Sequence, residues 1–268
     1  MLDTFLAILH FDGGAFVGWQ RQPAGRSVQG EFERVLERLT GHRVSAYAAG
    51  RTDAGVHAQG LGVSFALPAR WTAEDARRAL NALLPADCWV ERVTPMRHGF
   101  HARKSAVTRR YRYDVGADEA SASPFRRRYE WALGRAVDVR AMRLAAAQLR
   151  GEQDFTAFSV RGQLKPHHRC RITLSDWTDR ADGRGVSYHV QADRFLHHMV
   201  RMLVGTMVDI GLGRRPVADI SALLARGDNL ETSPPAPAEG LYFVAAAYPP
   251  ECYADGSPTP VAAGAEAS

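Results

Sequence analysis

One octapeptide combines residue types that could do chemistry: Gly50-Arg51-Thr52-Asp53-Ala54-Gly55-Val56-His57. Glycines bound its carboxylate residue, Asp53, and apolar runs lie on either side at residues 44–49 and 61–65. This arrangement predicts a turn between two strands that holds Asp53, with Arg51 nearby as a counter-charge. A carboxylate held in this way can serve as a nucleophile, a base or a stabiliser of positive charge. Taken alone, the stretch favours a plainer alternative, an Asx turn in which Asp53 bonds its own backbone.

Six more segments follow a fixed order along the chain, and several combine aromatic with basic side chains. They are Gly18-Trp19-Gln20-Arg21-Gln22, Phe100-His101-Ala102-Arg103, Arg109-Arg110-Tyr111-Arg112-Tyr113, Gly151–Phe158, Phe195–Arg201 and Glu239-Gly240-Leu241-Tyr242. With the octapeptide they resemble the TruA family of tRNA pseudouridine synthases over roughly residues 4–248. The aspartate of the octapeptide is the essential residue of that family, so the resemblance implies that Asp53 is catalytic. The Tyr-Asp-Gly usual in the family is Phe11-Asp12-Gly13 here, which removes one hydroxyl.

The resemblance also implies a reaction and a substrate. Uridine would be isomerised to pseudouridine at positions 38, 39 and 40 of the tRNA anticodon stem-loop, after the base is flipped out of the stem. The N1–C1′ bond breaks, the uracil rotates, and the base rejoins the sugar through C5. Whether Asp53 attacks C1′ or removes the proton from C2′ stays open. No small-molecule cofactor is expected, and the family implies a homodimer with tRNA lying across both subunits.

Catalytic roles fall by resemblance on Asp53, Tyr111, Arg51 and Arg201. Arg51 would hold Asp53 by an ion pair until RNA arrives; the alternative is a surface salt bridge contributing less than ~1 kcal/mol. Arg201, on an apolar helix, would be the second arginine of the active site and compete with Arg51 for Asp53. Tyr111 would pack beside the target base and accept or relay a proton. The residues expected to contact the substrate are Tyr111, Trp19, Gln20, Arg21, Arg109, Arg110, Arg112 and His57.

The residues themselves leave alternatives for two of the aromatic side chains. Tyr111 alternates with Arg110 and Arg112 on an apparent strand, which puts Tyr111 and Tyr113 on the same side of that strand. An aromatic residue in a strand is usually part of the core. Trp19 lies in a glycine-rich loop, where core packing and stacking on an RNA base are equally consistent with its position.

Composition narrows the partners and the compartment. The chain of 268 residues has a net charge of +5 and a pI of about 9.4, which favours a polyanionic partner. Its three cysteines are scattered and odd in number, which indicates a reducing compartment rather than a disulfide framework or a zinc site. The sequence shows no signal-peptide pattern and no apolar run of about 20 residues, so we expect a cytoplasmic protein without membrane association.

Histidines suggest a different chemistry, a metal site. His57, His101, His197 and His198 could be imagined around Asp53 as ligands. On a helix, however, neighbouring side chains such as those of His197 and His198 point about 100° apart and cannot easily share one ion. The sequence also lacks the His-Glu-x-x-His and Cys-x-x-Cys patterns, so we expect no metal.

Hydrophobic periodicity predicts the elements that position these residues. The first half has the order β-α-β-β-α-β, with helices capped by Ser27 and Thr72, which is typical of a ferredoxin-like or RRM-like unit. The second half repeats this order more loosely. Its apolar helix runs from about Phe195 to Ile210. The strands predicted over the whole chain span residues 4–11, 43–49, 60–67, 88–94, 108–115, 170–178, 185–192 and 240–246.

These elements predict an α+β fold made of two ferredoxin-like/RRM-like halves. Their antiparallel sheets would join into one extended sheet, with helices on one side and an active-site cleft between the halves. The predicted domains are residues 1–104, which carry the catalytic Asp, and residues 105–248. Residues 249–268 are rich in Pro, Ala, Gly and Ser, which is typical of a disordered tail.

Three other functions remain as alternatives. The first is a pseudouridine synthase acting on another RNA, which mapping of the modified positions would separate. The second is a non-catalytic RNA-binding module on the same fold, against which the intact octapeptide around Asp53 argues. The third is a metal hydrolase, which chelators would inhibit.

Overall fold

The computed structural model describes residues 2–160 and 167–256, which form ten strands and five α-helices in two compact units. The first unit comprises residues 1–109 and 242–268, and the second comprises residues 110–241. Strand pairing is mostly antiparallel. The predicted α+β class is therefore confirmed.

The first unit is a sheet with two helices. In the chain, its elements are β1 (Leu2–Phe11), α1 (Val28–Thr40), β2 (Tyr47–Ala48), β3 (His57–Pro68), α2 (Ala73–Leu83), β4 (Cys88–Met96) and β10 (Leu241–Ala247). The strands lie in the order β4-β1-β3-β10, and β2 pairs with β3. The predicted β-α-β-β-α-β order is present in β1 to β4, and the sequence placed all four of these strands.

Helix α1 begins and packs as its sequence predicts. The Ser27 hydroxyl accepts a hydrogen bond from the Gly30 amide at 3.2 Å, which satisfies one of the free donors of the first turn. Phe32, on the apolar face of the helix, is fully buried and meets the Phe65 ring of β3 edge-on at 5.5 Å. Phe65 also stacks on Phe5 of β1 at 6.0 Å. This contact of helix with sheet forms the core of the first unit.

The second unit, like the first, is a sheet with helices. They are β5 (Thr108–Gly116), β6 (Trp131–Ala132), α3 (Val139–Ala147), β7 (Gly151–Asp154), β8 (Arg169–Asp179), β9 (Gly185–Ala192), α4 (Met199–Gly211) and α5 (Asp219–Arg226). The strands lie in the order β5-β9-β8-β7, and β6 pairs in parallel with β5. Trp177 of β8 is fully buried against Tyr188 and donates its indole N–H toward the Met207 sulfur at 3.3 Å, which joins α4 to the sheet.

Two predicted elements need correction, and two short strands were not predicted. The strand predicted at residues 43–49 is reduced to Tyr47–Ala48. The apolar helix begins at Met199, not Phe195, because His198 has a positive φ of 61° and serves as the N-cap. His197 and His198 therefore precede the helix, and their rings lie 4.1 Å apart, so the 100° argument against shared ligation was wrong. The sequence did not indicate the short strands β6 and β7.

The end of the chain also differs from its predicted form. Strand β10 pairs in parallel with β3 through Tyr242 and Phe243, so residues 242–256 belong to the first unit although they follow the second. Residues 250–252 form a 3₁₀ turn, and Tyr253 is buried and bridges to Met96. Tyr253 thus packs against the first unit, whereas residues 254–256 are exposed and 257–268 lie outside the described residues. The disordered tail from residue 249 stays a prediction. The domain limits at residues 104 and 248 stay predictions.

None of the described helices has the length and apolar character needed to cross a bilayer.

Candidate active site

Asp53 lies on a tight turn between β2 and β3. The Val56 amide donates to the Asp53 carbonyl at 3.2 Å, which closes a four-residue turn from Asp53 to Val56. Gly55 has a φ of +79° at the third position, where a type II turn requires a positive φ. The Asp53 side chain is half-buried. The sequence prediction of a glycine-shaped turn at this carboxylate is confirmed.

A second loop supports this turn from the N-terminal part of the chain. The Trp19 amide donates to the Thr52 carbonyl at 3.1 Å, and the Gly55 amide donates to the Phe16 carbonyl at 3.3 Å. Trp19 itself is only 3% exposed. Its ring is therefore part of the core, as one of the two alternatives held, and an RNA base could reach it only after local opening.

His57 is buried at the end of the octapeptide, where β3 begins. Its Nδ1 accepts a hydrogen bond from the Gly13 amide at 3.0 Å and lies 3.3 Å from a carboxylate oxygen of Asp12. The ring stacks on Tyr242 at 5.0 Å with an interplanar angle of 22°. His57 thus links β1, β3 and β10 in the fold, and its predicted substrate contact stays a prediction.

The basic residues of the first unit differ in what their guanidinium groups do. Arg51 is exposed, and the described residues give it no ion-pair partner, so the predicted pair with Asp53 is not formed here. Arg21 is also exposed, with Glu33 at 3.4 Å, and Gln20 beside it is exposed. Arg109 donates to the carbonyls of three residues, Ala49, Arg103 and Ala106, at 2.5–3.2 Å. Its guanidinium therefore ties the segment before β5 to the end of β2.

Tyr111 and Tyr113 lie on the same side of β5, as their alternation with arginines predicted. Tyr111 is 8% exposed and meets the Phe195 ring edge-on at 5.0 Å. Tyr113 is fully buried and donates its hydroxyl to the Pro237 carbonyl at 2.7 Å. Burial raises the pKa of Tyr113 well above its ordinary value, with the Glu239 charge adding to this. Tyr113 is thus a core residue, whereas Tyr111 lies nearer the surface.

The arginines that flank Tyr111 are half-buried. Arg112 donates from Nε to both carboxylate oxygens of Asp114 at 3.0 and 3.1 Å, and Asp114 also accepts from the Ser187 hydroxyl at 2.7 Å. This network joins β5 to β9, and within it the Arg112 Nε is bound to Asp114. The RNA contacts predicted for Arg110 and Arg112 stay predictions.

Arg201 lies in the first turn of α4 and is half-buried. Its Nε donates to the Ala236 carbonyl at 2.6 Å, while the Ala236 amide donates to the Arg201 carbonyl at 2.9 Å. This pair of bonds fixes the arginine against the segment that precedes β10. An arginine on an apolar helix must be paired or open to solvent, and here the backbone carbonyl supplies one partner.

Comparison with known proteins assigns a family to this arrangement. The model of the tRNA pseudouridine synthase family matches residues 7–103 and 145–249. The chain belongs to the tRNA pseudouridine synthase family. It is accordingly an isomerase that acts on tRNA uridine.

Individual relatives cover most of the chain. A tRNA pseudouridine synthase A of Geobacillus kaustophilus (strain HTA426) is 40% identical over 258 residues, which is 94% of this chain and 97% of the relative. The protein of the same description from Myxococcus xanthus is 41% identical over 233 residues, 87% of each chain. That from Moorella thermoacetica (strain ATCC 39073 / JCM 9320) is 41% identical over 235 residues, 87% of this chain and 94% of the relative.

Sequence reasoning missed several residues that shape this synthase's candidate site. Asp12 and Gly13 were noted only for the absent hydroxyl beside them, yet both contact His57. Phe195 was taken as the start of a helix, but it precedes α4 and packs against Tyr111. Asp114, the partner of Arg112, carried a signal, because a lone acidic residue follows a run of arginines in β5.

Proposed function

We propose that this enzyme converts uridine to pseudouridine at positions 38, 39 and 40 of the tRNA anticodon stem-loop, with Asp53 as its catalytic residue. The observation that supports Asp53 is the turn that bears it. Backbone hydrogen bonds from Trp19 and Gly55 hold that turn, and Asp53 as a residue is half-buried. A rigid backbone under a carboxylate suits a group that must meet one atom of a bound nucleotide.

The reaction assigns Asp53 one of two steps. As a nucleophile, its carboxylate attacks C1′ while the N1–C1′ bond breaks, and the sugar carbon is released again when C5 attacks it. As a base, it removes the C2′ proton and returns a proton later. In either case C5 gains the bond to C1′ and loses its hydrogen as a proton, while N1 ends protonated. The product is an isomer of the substrate, so no oxidant or second substrate is required.

Supporting roles go to three further residues. Tyr111 packs beside the target base and accepts or relays a proton, which its position near the surface of the core permits. Arg201 supplies a guanidinium to the active site, and the Ala236 carbonyl holds that side chain in one orientation. Arg51 is exposed, so its guanidinium is accessible to the RNA. The contacts proposed for Gln20, Arg21, Arg109, Arg110, Arg112 and His57 rest on the family resemblance.

The assembly and compartment are also proposals. The resemblance implies a homodimer across which tRNA lies. Light scattering of the purified enzyme would test it, and a monomer at micromolar concentration would contradict it. We propose a cytoplasmic location, which fits a tRNA substrate; Cys88, Cys170 and Cys252 form no disulfide among the described residues.

The decisive experiment follows tritium release from tRNA transcripts labelled at uridine C5. The wild-type enzyme should release the label, because forming the C5–C1′ bond expels that hydrogen, and Asp53→Asn should release none. Asp3→Asn, which makes the same change at an exposed carboxylate of β1, should behave as the wild type. Release from Asp53→Asn at the wild-type rate would remove Asp53 from the mechanism.

Three further outcomes separate the rival functions. Label retained by the wild type despite tight, salt-sensitive tRNA binding would favour a binding module. Label released from transcripts in which positions 38, 39 and 40 carry no uridine would favour a synthase with another target. Loss of activity on chelation would favour a metal-dependent enzyme.

A further inference from the structure

Two aromatic rings, that of the exposed Tyr47 and that of the half-buried His101, are in contact on the first unit, outside the Asp53 turn. Tyr47 of β2 is 49% exposed, and its ring centroid lies 4.6 Å from that of His101 at an interplanar angle of 33°. Single exposed apolar side chains are common on protein surfaces. Tyr47 is different, because the half-buried His101 ring packs against its ring and limits its orientation while about half of Tyr47 stays exposed.

Hydrogen bonds from a buried side chain hold the backbone around the two rings in place. Ser64 of β3 is 2% exposed; its hydroxyl accepts from the Ala102 amide at 3.0 Å and donates to the Tyr47 carbonyl at 3.4 Å. One buried hydroxyl thus ties the strand of Tyr47 to the loop of His101. Arg109 binds the same loop, through the carbonyls of Arg103 and Ala106. The two rings are therefore positioned before any ligand arrives.

His101 is held in one neutral form. Its Nδ1 accepts from the Arg103 amide at 3.2 Å, so Nε2 bears the proton and is available as a donor. Burial lowers the pKa of His101, and the positive charge of Lys104 lowers it further. A neutral imidazole stacks on Tyr47 without placing a third charge beside Arg103 and Lys104.

The surroundings of the pair are cationic. Residues 41–52 and 97–113, the two segments that meet at the rings, contain no aspartate or glutamate. Arg43, Arg103 and Lys104 are exposed within them. Glu37, outside both segments, approaches the Arg43 Nε only to 3.9 Å, and both side chains are more than half exposed. The charge around the rings is thus complementary to that of a nucleic-acid backbone.

A cavity of about 340 Å³ adjoins the pair on the Tyr47 side. Its walls include Tyr47, Val44, Phe65 and Phe100, with Ser45 and Ser64 as polar groups. This volume falls in the range of sites that admit small flat ligands, and its lining of apolar groups with a few polar ones is usual for them.

We propose that Tyr47 and His101, with Arg103 and Lys104, form a stacking platform for an unpaired nucleotide of the bound tRNA. The base lies on the aromatic pair, and the two cationic side chains contact its flanking phosphates. Aromatic side chains bind unstacked RNA bases in this way, whereas paired bases are inaccessible to them. The identity of the ligand as tRNA rests on the proposed function; the platform itself rests on the rings and charges of this unit.

The first arm of the test is tRNA affinity, measured by fluorescence anisotropy with a labelled, unmodified transcript. All variants are made in the Asp53→Asn background, so turnover cannot alter the RNA. Tyr47→Ala should bind about 5- to 100-fold more weakly, as loss of one stacked base requires, and Tyr47→Phe should stay within about twofold of the parent. Since Tyr47 is half exposed, neither substitution should unfold the protein, and thermal melting would check this.

Trp89 provides a matched control on the same unit. Trp89 is 48% exposed and also lies beside a histidine ring, that of His10 at 5.1 Å. Its surroundings include a carboxylate, however, because Glu91 lies 3.2 Å from His10 Nε2 and 3.4 Å from an Arg92 nitrogen. Trp89→Ala should therefore leave tRNA affinity unchanged within about twofold. Equal losses for Tyr47→Ala and Trp89→Ala, or no loss for Tyr47→Ala, would overturn the platform.

The second arm tests the phosphate contacts through salt dependence. Lys104→Ala should reduce the slope of log affinity against log salt by about 0.7 to 0.9, the change expected for one lost phosphate contact. Arg38→Ala, which removes an exposed charge from the last turn of α1, should leave the slope unchanged. An unchanged slope for Lys104→Ala would remove that residue from the platform.

These arms are independent of the proposed reaction. If the enzyme with Asp53 intact releases no tritium but Tyr47→Ala still weakens tRNA binding selectively, the proposed function fails and the platform stands. If tritium is released normally while Tyr47→Ala binds as the parent does, the platform fails and the proposed function stands.

Discussion

Gly18 approaches Thr52 so closely that a β-carbon at position 18 would lie 2.6 Å from the Thr52 carbonyl oxygen. Gly18 also has a φ of +107°, which L-residues with a side chain rarely adopt. Because Thr52 directly precedes Asp53, this contact fixes how the candidate catalytic turn sits on the loop of residues 16–19. Asp53 can therefore take its observed position only because residue 18 has no side chain.

Gly18→Ala should therefore lower both stability and activity. We expect a loss of about 2 to 4 kcal/mol in the free energy of unfolding, from the positive φ and from the overlap with backbone. Tritium release should fall even where the protein is fully folded, because the Asp53 turn must shift. Gly99→Ala is the control: Gly99 also has a positive φ of 83°, but a β-carbon at position 99 would meet no atom within 4 Å. Gly99→Ala should lower the free energy of unfolding by only about 1 to 2 kcal/mol and leave tritium release unchanged.

Ser64→Ala should destabilise the protein through the loop of His101. The substitution leaves the buried Ala102 amide without its acceptor, which costs about 1 to 3 kcal/mol in urea unfolding. Ser45→Ala removes an exposed hydroxyl from the neighbouring segment and should change stability by less than about 0.5 kcal/mol. Equal stabilities of the two variants would mean that the Ser64 hydroxyl does not hold the loop.

Tyr111 and Tyr113 should separate chemistry from packing when each loses its hydroxyl. Tyr113→Phe leaves the Pro237 carbonyl without its donor and should cost about 1 kcal/mol of stability, with tritium release per folded molecule unchanged. Tyr111→Phe keeps the ring but removes the proposed proton acceptor, so release should slow by about 100-fold or more. Wild-type turnover in Tyr111→Phe would assign Tyr111 to packing alone.

His189 should make stability depend on pH. Burial lowers the pKa of His189 below its ordinary value of 6.5; Arg110 and Arg112 lower it further, while Asp114 and Asp176 oppose this. The unfolded chain therefore binds the proton more readily. The contribution of neutral His189 to the free energy of unfolding is fully present above the pKa that this imidazole has in the unfolded chain. It is lost as the pH falls through the lower pKa of His189 in the folded protein.

Urea unfolding at about pH 7.5 and about pH 5.5 would measure this decline. His189→Gln should lose less stability between the two pH values than the wild type. His42→Gln, which removes an exposed imidazole, should lose as much as the wild type. A decline in His189→Gln equal to that of the wild type would show that another group is responsible.

Local signals in the chain were sufficient for most elements and for the turn at Asp53. The Ser27 and Thr72 caps begin their helices at the expected residues, because capping depends on hydrogen bonds within one turn. Strand β9 has the predicted bounds, and β1 and β8 differ from theirs by two residues or fewer at each end. Gly55 likewise adopts the positive φ that the turn around Asp53 requires.

Sequence by itself therefore determined the α+β class, the order of the elements, the family and the carboxylate that the turn presents. Only the tertiary structure decided that Trp19 is buried and that Tyr113 is a core residue while Tyr111 lies nearer the surface. It also decided that Arg109 ties backbone carbonyls together, that β10 pairs with β3, and that Tyr47 stacks on His101. The physical reason is the range of the interactions: caps and turns are fixed by neighbours in the chain, whereas burial and long-range pairing depend on which distant segments meet.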